Sequence, residues 1–139
     1  MENTSGSVRE LELGECWTLL ESRDFGRLAY SVGTHPEIVP INYCVSDRAI
    51  YFRTAGGGKL FGVTVNQNVA FEIDDIVGEV ARSVIVTGTA TRLDHQAEID
   101  KAEELPLRPW IPADKYNYVR IDVDDVSGRE LHMGAEPCD

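Results

Sequence analysis

Short runs in which apolar and polar residues alternate, each closed by turn chemistry, recur along most of this chain, and that period of two restricts it to β architectures. FGRLAYSVG (residues 25–33) sets Leu28, Tyr30 and Val32 on one face and ends in the turn chemistry of Gly33, Thr34, His35 and Pro36. EIVPINYCVS (37–46) follows as the second arm of a hairpin. Pro40 has no N–H to give to a ladder, so that strand lies at an edge or carries a bulge where a ligand can approach. AIYFRT (49–54), NVAFEID (68–74), SVIVTGTATRL (83–93) and YNYVRIDVDDV (116–126) bring the count to about six strands, Gly88 weakening or bending the longest. Residues 75–81 read as a loop. Apolar residues at helical spacing (Leu13, Cys16, Trp17, Leu19, Leu20) mark one amphipathic helix over 11–22, and 94–104 reads as a charged helix with Asp94 as its N-cap. Tight turns between short strands favour an antiparallel barrel over a βαβ sheet.

The chemistry concentrates in AIYFRTAGGGKLFGV (49–63). A strand carrying Arg53 and Thr54 breaks into three glycines and Lys59, and a short helix-like run with Leu60, Phe61 and Val63 follows. Glycines allow backbone N–H groups to approach a ligand closely, a helix start favours an anion, and Arg53 offers a two-pronged fork. The alternative is a glycine-rich hairpin tip with solvated cations. Two familiar phosphate motifs are excluded. A P-loop needs glycine where Arg53 stands and Ser or Thr where Leu60 stands, and a dinucleotide fingerprint begun at Gly56 needs glycine where Phe61 stands.

At 139 residues the chain is expected to form one domain over its whole length, with residues 1–8 and 132–139 as loose tails. The N-terminal MENTSGS has neither a basic segment nor an apolar run, and no long uncharged apolar stretch occurs, so a cytoplasmic protein that does not enter membranes is expected. A net charge of −11 argues against a nucleic-acid partner while leaving room for a local basic pocket. Cys16 and Cys44 read as core thiols and Cys138 as a tail thiol, with no metal-binding or redox spacing. His35, His95 and His132 lie in a turn, at a helix start and in the tail, so no Ser/His/Asp or Cys/His set is evident.

The order of these elements, with IVPINY (38–43), IYFRTAGGGKL (50–60) and SVIVTGTATRL (83–93), resembles the pyridoxamine 5′-phosphate oxidase-like flavoproteins over nearly the whole chain. That resemblance implies a mainly β, antiparallel split barrel with two to three short helices, which binds flavin mononucleotide (FMN) at a homodimer interface. It further implies that Arg53, Thr54 and Lys59 hold the cofactor phosphate, with Gly58 allowing close approach and Leu60 beside it. Val39, Pro40, Ile41 and Asn42 would lie along the flavin ring, Ser83 would contact flavin or phosphate at the start of the long strand, and Trp110 would close the site from the partner subunit. Two departures stand out: Arg82 replaces an aromatic residue and adds a third cation near the phosphate, and the chain ends in GRELHMGAEPCD without the basic, aromatic segment that grips vitamin B6. The expected activity is therefore an oxidoreductase reducing a small organic substrate, such as a quinone or nitro compound, through reduced flavin. The alternatives are a reductase of the same fold using the deazaflavin coenzyme F420, and a non-catalytic flavin- or haem-binding module.

Overall fold

The computed structural model describes residues 6–55, 67–107 and 116–134. Eight strands and two helices occur among them: β1 (Gly6–Glu10), α1 (Leu13–Glu21), β2 (Phe25–Val32), β3 (His35–Asn42), β4 (Cys44–Ser46), β5 (Ala49–Ala55), β6 (Asn68–Val77), β7 (Val80–Arg92), α2 (Gln96–Glu103) and β8 (Tyr116–Met133). The strands form one antiparallel sheet in the order β3-β2-β6-β7-β8-β5-β4, and β1 pairs with the C-terminal half of β8. The sheet is rolled rather than flat, since β3, at one end of that order, returns to touch β5 near the other.

Alternation decides what the roll encloses. Leu28 and Tyr30 on β2, Ile50 and Phe52 on β5, Val69, Phe71 and Ile73 on β6, Val84 and Val86 on β7, and Val119 and Ile121 on β8 all turn inward. Helix α1 closes one side by burying Cys16, Trp17 and Leu20 against them, and its start is fixed by the Glu15 carboxylate accepting the Glu12 N–H at 2.9 Å. The Tyr43 ring meets Phe71 edge-on, and its hydroxyl donates to the Leu20 carbonyl at 2.6 Å, tying α1 to the start of β4. A second, smaller cluster lies on the opposite face of β5 and β8, where Leu93, Ala102, Leu107 and Tyr118 pack beneath α2.

Pro40 sits on an edge strand, as its missing N–H requires, and the irregularity between Thr87 and Gly88 is where β7 bends. Other expectations are corrected. The strands number eight, because residues 6–8 belong to β1 instead of a tail and residues 37–46 divide into β3 and β4 at Tyr43. Backbone pairing with Arg129, Glu130, Leu131, His132 and Met133 creates β1, and it also carries β8 through Met133, past the expected end at Val126. Residues 75–81 form no loop: β6 runs to Val77 and β7 begins at Val80, with Gly78 at φ 61 in a two-residue turn between β-branched neighbours. Helix α2 is capped at His95, whose ring bonds the Asp94 carboxylate, so Asp94 is not the N-cap. The helix-like run after Lys59, together with Gly58, Leu60, Trp110 and Cys138, lies outside the described residues. Among the described residues, no helix is long and apolar enough to cross a membrane.

Candidate functional site

Strand alternation gives Arg53 its position. Ile50 and Phe52 are fully buried in the main core, so Tyr51 and Arg53 emerge on the other face of β5, towards the cluster beneath α2. There the Arg53 guanidinium lies 4.4 Å from the centre of the Tyr116 ring, and Nη2 donates to the Leu107 carbonyl at 2.9 Å. Its Nε is buried without a partner. Arg9, Arg23, Arg27, Arg82 and Arg120 each hold at least one carboxylate, whereas among the described residues none is paired with Arg53. An oriented guanidinium with an unspent, desolvated donor in so acidic a chain is suited to an oxyanion arriving from outside, and a phosphate has the oxygens to meet it.

Beside this point the surface sinks into a depression of about 430 Å³, whose wall includes Asp24, Tyr43, Cys44 and Pro106. Pro106 precedes the residue that Arg53 grips. Asn42 donates through Nδ2 to the carbonyl of the lining residue Asp24 at 3.0 Å, which also accepts the Tyr43 N–H. Asn42 thereby fastens the α1–β2 connection to the end of β3. Burial pushes the Cys44 thiol up to about 11 and also raises Cys16, so both are neutral thiols rather than nucleophilic thiolates at neutral pH.

With Gly58, Lys59, Leu60 and Trp110 outside the described residues, the remaining sequence-derived candidates separate into three groups. Arg53 and Thr54 lie together near the end of β5, opposite Tyr118 and Asn117 of β8. Pro40, Ile41 and Asn42 end the edge strand β3: Pro40 is exposed, while the Ile41 side chain is 6% exposed and belongs to the main core, so a ring lying there would meet its backbone only. Ser83 is level with Asn42, three strands across the sheet, and apart from Arg53 along the strands. It is the fourth residue of β7, opposite Asp74 and Arg129, whereas Arg53 is level with the far end of that strand, so roughly 30 Å of strand separates them within one copy. Arg82 goes with Ser83 and is spent, donating to Asp75 Oδ2 at 3.0 Å alongside Arg23. The other partner of that carboxylate, Arg23, lines the depression beside Arg53. Tyr116 and the Leu107 carbonyl were not among the sequence-derived candidates. The available signal was the alternation that puts Tyr116, Tyr118 and Arg120 on one face of β8. No group of three or more His, Cys, Asp or Glu residues among those described is arranged to hold a metal.

Comparison with known proteins agrees with this architecture. Residues 12–130 match the model of the pyridoxamine 5′-phosphate oxidase family. The uncharacterized protein Rv3129 of Mycobacterium tuberculosis is 39% identical over 93 residues, covering 67% of this chain and 84% of that protein. Among solved structures, the FAD binding protein from Mycobacterium smegmatis superposes with a TM-score of 0.82 at 38% identity, covering 91% of this chain and 100% of the other. A FAD-binding protein from Mesorhizobium loti gives a TM-score of 0.76 at 29% identity over 91% of this chain and 98% of its own. The rolled sheet with its two open ends is the split barrel of these proteins, and the chain belongs to the pyridoxamine 5′-phosphate oxidase family.

Proposed function

We propose that this protein binds a flavin nucleotide, with Arg53 taking a phosphate next to the ribityl chain, and that it acts as an oxidoreductase on a small organic substrate. One observation carries the reading: Arg53 is half-buried, oriented by Tyr116 and Leu107, unpaired with any described carboxylate, and keeps a buried Nε donor unspent. Thr54, Lys59 and Gly58 continue the same stretch of sequence and complete the proposed phosphate cradle, with Leu60 beside it. Two relatives at 38% and 29% identity are FAD-binding proteins, which puts FAD ahead of the FMN expected from sequence; the riboflavin 5′-phosphate unit common to both is what Arg53 would grip. When bound, the flavin supplies hydride or electron transfer; the chain supplies orientation, charge and exclusion of water. The end of β3, where Pro40 is exposed, offers backbone groups and the Asn42 amide oxygen to the ring edge.

The site is proposed to form between two copies, an arrangement that would let Ser83 of a second copy meet a cofactor held by Arg53. Support comes from the outer face around Ser83, where Ile76, Ala81, Leu131 and Val8 pair in a row across four strands with Ile76 70% and Val8 65% exposed. Trp110 belongs to the same proposal, as a residue from the partner.

The test is to purify the protein, release any bound cofactor by heat, and identify it by chromatography beside FAD, FMN, riboflavin and the deazaflavin coenzyme. FAD or FMN in stoichiometric amount supports the reading. Exclusive recovery of the deazaflavin, or an apoprotein that binds none of the four, refutes it. Light scattering should show a dimer at micromolar concentration that Leu131→Glu dissociates; a parent monomer contradicts the shared site. A yellow protein whose flavin no reductant or substrate turns over is a binding module, not an oxidoreductase.

A further inference from the structure

A separate cavity of about 180 Å³ lies between α2 and the β4–β5 corner. Tyr51 and Arg120, opposite one another on β5 and β8, contribute to one wall, and Leu93, Ala102 and Leu105 give an apolar one. Arg120 is committed: Nε donates to Asp122 at 2.8 Å and Nη1 to Glu98 at 3.0 Å, so one guanidinium serves two carboxylates.

Two opposite charges on the lining, both exposed at its mouth, are uncommitted. Asp47 enters from the β4–β5 turn and Lys101 from α2, and among the described residues neither has an ion-pair or hydrogen-bond partner, each other included. The gap between them exceeds a contact ion pair, with the cavity in between. Asp47 and Arg48 sit at φ 51 and φ 59, left-handed positions that Asn-Gly ordinarily fills. Arg48 has a contact that helps hold it, its guanidinium lying 5.1 Å from the centre of the Trp17 ring. Asp47 has no such contact, and it lines the same small space as Lys101, Tyr51 and the apolar wall.

We infer that this cavity binds a small zwitterion of the α-amino-acid class, its ammonium at Asp47, its carboxylate at Lys101 and an aliphatic side chain against Leu93, Ala102 and Leu105. The neutral sum of the two charges suits such a ligand better than a plain anion or cation, either of which would leave one charge unpaired. The inference does not depend on flavin binding.

Isothermal titration of the full chain with L-leucine, isocaproate (no ammonium) and isopentylamine (no carboxylate) tests it. Leucine is expected to bind at millimolar or lower concentration, each single-charge analogue at least about tenfold more weakly. Lys101→Met and Asp47→Asn should each weaken leucine by about tenfold or more while leaving the unliganded melting temperature nearly unchanged. Equal binding of leucine and its analogues, or no heat from leucine or any other aliphatic amino acid, overturns the inference. So does loss of leucine binding when FAD or FMN saturates the protein, since the cavity would then belong to the cofactor site.

Discussion

Replacing Gly88 with alanine tests the central strand pair more sharply than any change of size in the core. A Cβ at this position would stand 2.2 Å from the Asp122 carbonyl oxygen, 3.1 Å from its carbon and 3.2 Å from Ile121 Cγ2. The nearest atom is backbone in the middle of β8, so relief requires β7 and β8 to part by more than an ångström beside the existing irregularity at Thr87 and Gly88. Overpacking of this kind costs about 3 kcal/mol, at the upper end of the usual range because neither side is a flexible side chain. For a chain of this size that corresponds to roughly 10 °C in Tm. Gly14 in α1 is the internal control: nothing lies within 4 Å of its added Cβ, so Gly14→Ala should be neutral or stabilise by up to ~1 kcal/mol. Scanning calorimetry of both variants, with urea midpoints as a second measure, decides the matter. A Gly88→Ala protein melting within about 2 °C of the parent would mean that β7 and β8 do not approach as described.

Tyr43→Phe removes a buried hydroxyl from the Leu20 carbonyl and should cost about 1 to 2 kcal/mol, read as a lower urea midpoint with unchanged m-value. Alkylation of Cys44 should remain slow through pH 9 and keep accelerating towards pH 11, with a rate plateau near pH 9 arguing that the thiol is not buried. Because its folded value is raised above the ordinary 9.0, Cys44 contributes stability that is fully present below pH 9 and lost as pH rises towards 11. The Glu130 carboxyl is held below its ordinary 4.5 by hydrogen bonds from His132 and then Arg9, so its contribution is present above that pH and lost on acidification. Hydrogen exchange over β1 should accordingly speed up on acidification relative to the intrinsic rate, and equal protection of β1 at pH 7 and below 4 would show that this cluster does not hold the strand.

The sequence disclosed what is local and hid what depends on pairing. Alternation in FGRLAYSV and NVAFEID was enough to set Leu28 with Tyr30, and Val69 with Phe71 and Ile73, on the faces that form the core, and Pro40 pointed to an edge or a bulge, of which the structure has the edge. GSVRE carries no such signal: Val8 is its only aliphatic residue, and it is a strand because the C-terminal half of β8 offers a free edge. The DIVGEVA stretch (75–81) reads as a loop, although Val77 and Val80 around Gly78 and Glu79 fit a two-residue hairpin turn. Arg53 was legible as a residue type in a glycine-rich setting, but what orients it comes from Leu107 and Tyr116, more than fifty positions along the chain. Ser83 and Arg82 could be assigned to a long strand from sequence, whereas which end of the sheet they occupy depends on register, and register placed them far from Arg53.

The proposed phosphate grip is tested most directly by titrating cofactor-stripped parent and Arg53→Ala proteins with FAD, FMN and riboflavin, following flavin fluorescence. Loss of a charged hydrogen bond of about 1.5 to 3 kcal/mol predicts roughly 10- to 150-fold weaker binding of both nucleotides, with riboflavin unaffected and Tm nearly unchanged. Full nucleotide affinity in Arg53→Ala, or an equal loss for riboflavin, would contradict the assignment of Arg53 to the phosphate.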